Sequence, residues 1–135
     1  MAINAEFHYG ITRNVFLIGK YAIKTPRISN HLHFLQGCYS NWSERRFCKL
    51  TKSGDYETRS CYRMVAPSLW CSWFGIVQIQ RRCIPLDPNP MAHKSITRPF
   101  LKKHFRRVCT DIKHDNFGWL EIDGCESVLV CLDYA

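Results

Sequence analysis

Three prolines fall within six residues at Pro85-Leu-Asp-Pro88-Asn-Pro90. No helix or interior strand continues through such a segment, because each ring removes an amide donor and fixes φ. The chain must therefore be built as two stretches, residues 1–84 and 85–135, that meet at this junction. At 135 residues the two still make a single domain, since that length buries about two-thirds of the unfolded surface in one core. With 46% apolar residues against 22% charged, the chain is globular in composition and far from the disordered class.

The first stretch reads as strands around a helix. Residues 14–24 hold two apolar runs on either side of Gly19-Lys20, which predicts a hairpin whose second strand carries Lys24 and stops at Pro26, with an earlier strand over 7–11. Beyond a cap at Ser29 or Asn30, Leu32, Leu35, Tyr39, Trp42 and Arg46 recur at helical spacing. They predict an amphipathic helix over 31–50, interrupted at Gly37, with Glu44 near its Trp42 side. Residues 52–55 read as a loop, and 60–65 and 74–80 as strands.

After the prolines, Thr97 with Pro99 predicts a helix start, and Leu101, Phe105, Val108 and Ile112 make a buried stripe at i, i+4, i+7 and i+11. Lys102, Lys103, Arg106 and Arg107 fall on its other faces. Asp123-Gly124 between apolar runs signals a closing hairpin. The expected fold class is thus α+β: an antiparallel sheet with one packed helix, then a second helix, a loop and a hairpin.

Asp111, Lys113 and Asn116 form a D-x-K-x-x-N pattern in that loop, and the sequence reaches Leu132-Asp133-Tyr134 after the hairpin. At ~5% for each residue type, D-x-K-x-x-N arises by chance in roughly one chain in fifty of this length. Its weight comes from order: Tyr21-Ala22-Ile23-Lys24 precedes it, and Glu44 follows Lys24 in the first helix. In these motifs the chain resembles the protein-kinase-like fold, with Tyr21-Ala22-Ile23-Lys24 in place of V-A-I-K and Leu132-Asp133-Tyr134 close to D-F-G.

The resemblance implies a kinase-like miniature in which residues 1–84 are a small-lobe-like part and 85–135 a truncated large-lobe-like part. It implies ATP and Mg²⁺ as cofactors, Lys24 on the nucleotide phosphates oriented by Glu44, and Asn116 and Asp133 on the metal. Asp111 would take or orient the acceptor's proton, and Lys113 would neutralise charge on the transferring phosphate. The pattern departs from the kinase one: no G-x-G-x-x-G precedes the hairpin, and Cys109-Thr110 stands in place of His-Arg.

The chain is also similar to a family of small phage proteins sharing an N-V-F-L-I-G-x-Y-A-I-K opening and an F-G-W-L ending, here residues 14–24 and 117–120. The departures from the kinase pattern leave a second reading open: a catalytically inactive kinase-like scaffold, for example a phage-encoded factor that captures or inhibits a host protein, with that protein as partner. Trp70, Trp73 and Phe74 are candidates for such a surface, with core strand as the plainer reading.

Each candidate has an ordinary alternative. Lys24 also reads as a solvated strand-end lysine, Glu44 with Arg45 and Arg46 as an exposed charge pattern, Asp111 and Asn116 as turn caps, and Asp133 as a frayed end. A formal charge of +8 predicts attraction to anions, whether nucleotide phosphates, nucleic acid bound at the 102–107 helix, or an acidic protein. Eight scattered cysteines without a C-x-x-C predict mostly reduced core thiols. The opening lacks the features of a signal peptide, and no run nears the ~18 apolar residues of a membrane span, so a cytoplasmic protein without a membrane partner is expected.

Overall fold

The computed structural model of the protein describes residues 5–9, 12–86, 96–109, 112–122 and 126–134. It is an α+β protein built on two antiparallel sheets. Strands β1 (Ala5–Tyr9), β2 (Arg13–Ile18) and β3 (Tyr21–Pro26) form a meander, followed by helices α1 (His31–Lys52) and α2 (Tyr56–Tyr62). Strands β4 (Ser68–Cys71) and β5 (Gln78–Arg81) complete the first sheet in the order β1-β2-β3-β5-β4, so the chain returns to pair β5 with β3. Strands β6 (Ile84–Pro85), β7 (Phe117–Ile122) and β8 (Glu126–Cys131) form the second sheet, with helix α3 (Arg98–Phe105) between β6 and β7.

The hairpin turns at Gly19-Lys20 as its sequence demands, with Gly19 at φ +58° and Ile18 opposite Tyr21. Asn30 caps α1 by accepting a 2.8 Å hydrogen bond from the His33 amide. Gly37 does not interrupt the helix. A Cβ there would lie 2.6 Å from the Thr12 carbonyl oxygen and 2.7 Å from Pro26 Cβ, so the glycine is what lets α1 lie against the end of β3.

The faces of α1 are inverted relative to an ordinary surface helix. Gly37, Cys38, Asn41, Glu44, Cys48 and Thr51 are buried, whereas Leu32, Leu35, Tyr39 and Trp42 are exposed. Glu44 therefore lies on the face away from Trp42. The cause is the sheet beneath: it presents buried Arg13, Lys24 and Gln78, and polar side chains out of water require polar partners.

Two expected strands take other forms. Residues 56–62 are helical because Asp55 accepts a 2.9 Å hydrogen bond from the Thr58 amide and caps the turn, which outweighs the local apolar pattern. Within 74–80, Trp73–Gly75 is a 3-10 turn with Phe74 at φ +64° and Gly75 at φ +70°, and only Gln78 onward is strand. Pro85 enters a strand after all, on β6 at the edge of the second sheet, where a missing amide is tolerated. Pro88, Pro90 and Asp123-Gly124 lie outside the described residues.

Thr97 caps α3 as expected. Leu101, Phe105, Val108 and Ile112 are all buried, although the helix itself ends at Phe105. They join Val65, Phe117, Cys131 and Tyr134 in an apolar core that also takes Cys48 from α1. Lys102, Lys103, Arg106 and Arg107 face solvent. The seven described cysteines are free thiols, and Cys125 lies outside the described residues. Among the described residues no helix is long and apolar enough to cross a membrane.

Helix propensity alone favours Ala over Gly by about 1 kcal/mol. Gly37→Ala should nevertheless destabilise the fold, by about 1–3 kcal/mol, because the added methyl meets backbone. Urea unfolding of the variant measures this, and a stabilised Gly37→Ala would contradict the packing of α1 on β3.

Candidate functional site

Strand alternation sends Arg13 of β2, Lys24 of β3 and Gln78 of β5 to the face covered by α1, where all three are buried. Helical spacing of three places Asn41 and Glu44 on one face of α1, and both have no exposed surface. Glu44 is the centre of the cluster. Its Oε1 accepts from Arg13 Nη1 at 2.8 Å, Gln78 Nε2 at 2.9 Å and Lys24 Nζ at 3.2 Å. Its Oε2 accepts from Arg13 Nη2 at 3.1 Å and from the Tyr134 amide at 3.0 Å.

Most of the surrounding groups are satisfied in turn, although Gln78 Oε1 is buried without a hydrogen-bond partner. Asn41 Oδ1 accepts from Arg13 and Gln78, both at 3.1 Å, while its Nδ2 donates to the Lys24 carbonyl at 3.1 Å and the Gly75 carbonyl at 2.9 Å. Lys24 Nζ also donates to the Leu132 carbonyl at 2.7 Å, which takes a second bond from Gln80 Nε2 at 3.1 Å. Arg13 forms an ion pair with the Asp133 carboxylate, which is half exposed. Two cations thus face two carboxylates, and the cluster is neutral as a whole.

Burial opposes the charge on Glu44, but the Lys24 and Arg13 charges and the hydrogen bonds from Gln78 and Arg13 outweigh it and hold the carboxyl below its ordinary value. For Lys24, burial pulls the ammonium down from 10.5 to about 8, against the upward pull of Glu44. Both are ionised at neutral pH, in the arrangement of a buried ion pair whose remaining hydrogen-bonding capacity is met by amides and carbonyls.

Lys24 and Glu44 therefore come together, and neither is a solvated surface residue. Asp133 joins them through Arg13. Asn116 joins less directly: its carbonyl accepts from the Leu132 amide at 2.7 Å, fastening the 112–116 loop to the segment after β8. Lys113 is exposed, and Asp111 lies outside the described residues. Among the described residues no group of three His, Cys, Asp or Glu side chains is disposed to hold a metal ion.

Sequence reasoning missed Arg13, Asn41, Gln78 and Tyr134. Their signal was weak but present. Arg13 opens an apolar strand run, Gln78 and Gln80 alternate with Ile79 on a strand, and Asn41 sits three residues before Glu44.

A separate cavity of about 690 Å³ is lined by the Gly19-Lys20 turn, residues 81–85, Trp119 and Glu121, and Lys24 is not part of its wall. Trp73 and Phe74 stand 86% and 81% exposed, so the core-strand reading does not apply to them. No family model, curated protein or solved structure matches the chain.

Removing the central carboxylate leaves two buried cations facing an amide. Glu44→Gln should therefore cost about 3–5 kcal/mol in denaturant unfolding, and a loss below about 1 kcal/mol would contradict the cluster's charge state. Lys24 gives a second test. Between pH 8 and 10.5 the folded chain releases this proton while the unfolded chain still holds it, so the Lys24 contribution to stability rises with pH in that window. The difference in unfolding free energy between wild type and Lys24→Met, which cancels the thiols titrating nearby, should rise from pH 8 to 10.5; a flat or falling difference would contradict the burial of the ammonium.

Proposed function

We propose that the protein is a kinase-like scaffold whose phosphate-site machinery serves as an internal latch, and that it acts by binding another protein. The kinase-like part of the reading is supported by the Lys24 and Glu44 pair, which matches the strand lysine and helix glutamate of the kinase pattern. It is supported too by the order of elements: five-stranded sheet with one long packed helix, then α3, the Lys113 to Asn116 loop, the β7-β8 hairpin and Asp133.

One observation carries the binding reading. Lys24 Nζ is buried and bonded to the Leu132 carbonyl as well as to Glu44, so a nucleotide phosphate would reach it only by displacing the segment that carries that carbonyl. The carboxylate that the kinase pattern assigns to Mg²⁺, Asp133, faces the Arg13 guanidinium. By contrast the surface offers large aromatic groups. Trp73 and Phe74 project into solvent from a turn that keeps Phe74 at positive φ, a strained state for a bulky residue that surrounding structure must enforce.

Nucleotide and Mg²⁺ binding, with phosphotransfer to an unknown acceptor, is the second reading. It is favoured by the half-exposed Asp133 carboxylate, which a local opening of the Arg13 contact would release to an ion. Melting temperature with millimolar ATP and Mg²⁺ separates the two. The latch reading predicts no change beyond about 1 °C. A ligand present at ~100 times its Kd would add about 2.7 kcal/mol of stability, and a rise of that order that disappears in Asp133→Ala would establish the nucleotide reading instead.

A further inference from the structure

The apolar face of α1 is laid out as a seam. Leu32, Leu35, Tyr39, Trp42, Arg46 and Lys49 follow one another at spacings of 3, 4, 3, 4 and 3, the a and d positions of a heptad, and all six are exposed. That spacing keeps one narrow stripe facing a partner helix over about 27 Å of axis. The first two heptads supply four apolar knobs. Tyr39 and Trp42 are in ring contact at 6.1 Å, and the Arg46 guanidinium lies 5.3 Å from the Trp42 ring, so the transition from apolar to basic is ordered.

We infer that this seam docks an amphipathic helix of another protein, with apolar side chains against Leu32 to Trp42 and carboxylates against Arg46 and Lys49. Charge decides the partner. The only acid on α1 is Glu44, which is fully buried, so the exposed face of the helix carries cations without a carboxylate.

A second copy of this chain is a poor match. Side by side in parallel, Arg46 would meet Arg46 and Lys49 would meet Lys49. Antiparallel, the cations would oppose Leu35 and Leu32, again without an acid. The seam therefore names the partner class for the binding reading above and rests on that reading for its purpose, while the docking itself is measured independently of nucleotide.

The test uses a labelled synthetic helix of three heptads with Leu at its a and d positions and Glu at the flanking ones, a counterpart with Lys in place of Glu, and phosphatidylserine vesicles. Fluorescence anisotropy should show the Glu helix binding and the Lys helix failing to bind. Leu35→Ser with Tyr39→Ser should weaken that binding by about tenfold or more, whereas Ile122→Ser, at an exposed apolar position on β7, should not. Arg46→Glu with Lys49→Glu should reverse the preference toward the Lys helix. All these sites are on the surface, and unchanged circular-dichroism melts confirm folding. Absence of Glu-helix binding overturns the inference, as do equal binding of both helices, equal loss in Ile122→Ser, vesicle binding alone, or a seam-dependent homodimer in sedimentation. ATP insensitivity is read separately, so either claim can fail alone.

Discussion

The Glu44 carboxylate is a buried point at which the two halves of this fold are joined, beside the backbone bonds of Met64 and Ala66 to Cys131. It accepts hydrogen bonds from β2, β3 and β5 of the first sheet and from the Tyr134 amide beyond the second. A buried carboxylate without cations would take up a proton or unfold its surroundings. Here Arg13 and Lys24 keep it charged, and Asn41, Gln78 and the Leu132 carbonyl take the remaining donors and acceptors. The side chains of Arg13, Lys24, Asn41, Glu44 and Gln78 thus fix the position of α1, the alignment of β3 with β5, and the course of the chain after β8.

This arrangement divides the interior by chemistry. Between the five-stranded sheet and the middle of α1 the large fully buried side chains are polar or ionic, whereas apolar burial is concentrated where α3, β7 and β8 meet the C-terminal end of α1. Tyr134 belongs to both regions: its ring lies in the apolar core against Phe47, its hydroxyl donates to the Ala66 carbonyl at 2.6 Å, and its amide reaches Glu44. The inverted exposure of α1 follows. Once the sheet beneath demands Asn41 and Glu44, Leu32, Leu35, Tyr39 and Trp42 have to face out.

Local signals in the sequence were sufficient for the hairpin at Gly19-Lys20, the caps at Asn30 and Thr97, the helix they start, and the β7-β8 pairing, because each depends on neighbours within a few residues. The juxtaposition of Lys24 with Glu44 was also legible, through motif order. What failed was non-local. The period of α1 is visible in Leu32, Leu35, Tyr39 and Trp42, but a period does not state which face is inward, and that is set by Arg13, Lys24 and Gln78 on three separate strands. Likewise the strand propensity of 60–65 lost to the Asp55 cap, and that of 74–77 to the positive φ of Phe74 and Gly75. The role of Arg13 had only a weak local signature, a charged residue opening an apolar strand run.

The buried charges of this protein face each other, Glu44 against Arg13 and Lys24. The account is tested most directly at one amide. Tyr134 N–H bonds to Glu44 Oε2 at 3.0 Å, so in native-state hydrogen exchange followed by NMR it should be protected to about the level of the β3 and β5 amides, reporting the global opening of the fold. Exchange of Tyr134 at the rate of an unstructured amide would contradict it, since Glu44 would then not hold the two halves together.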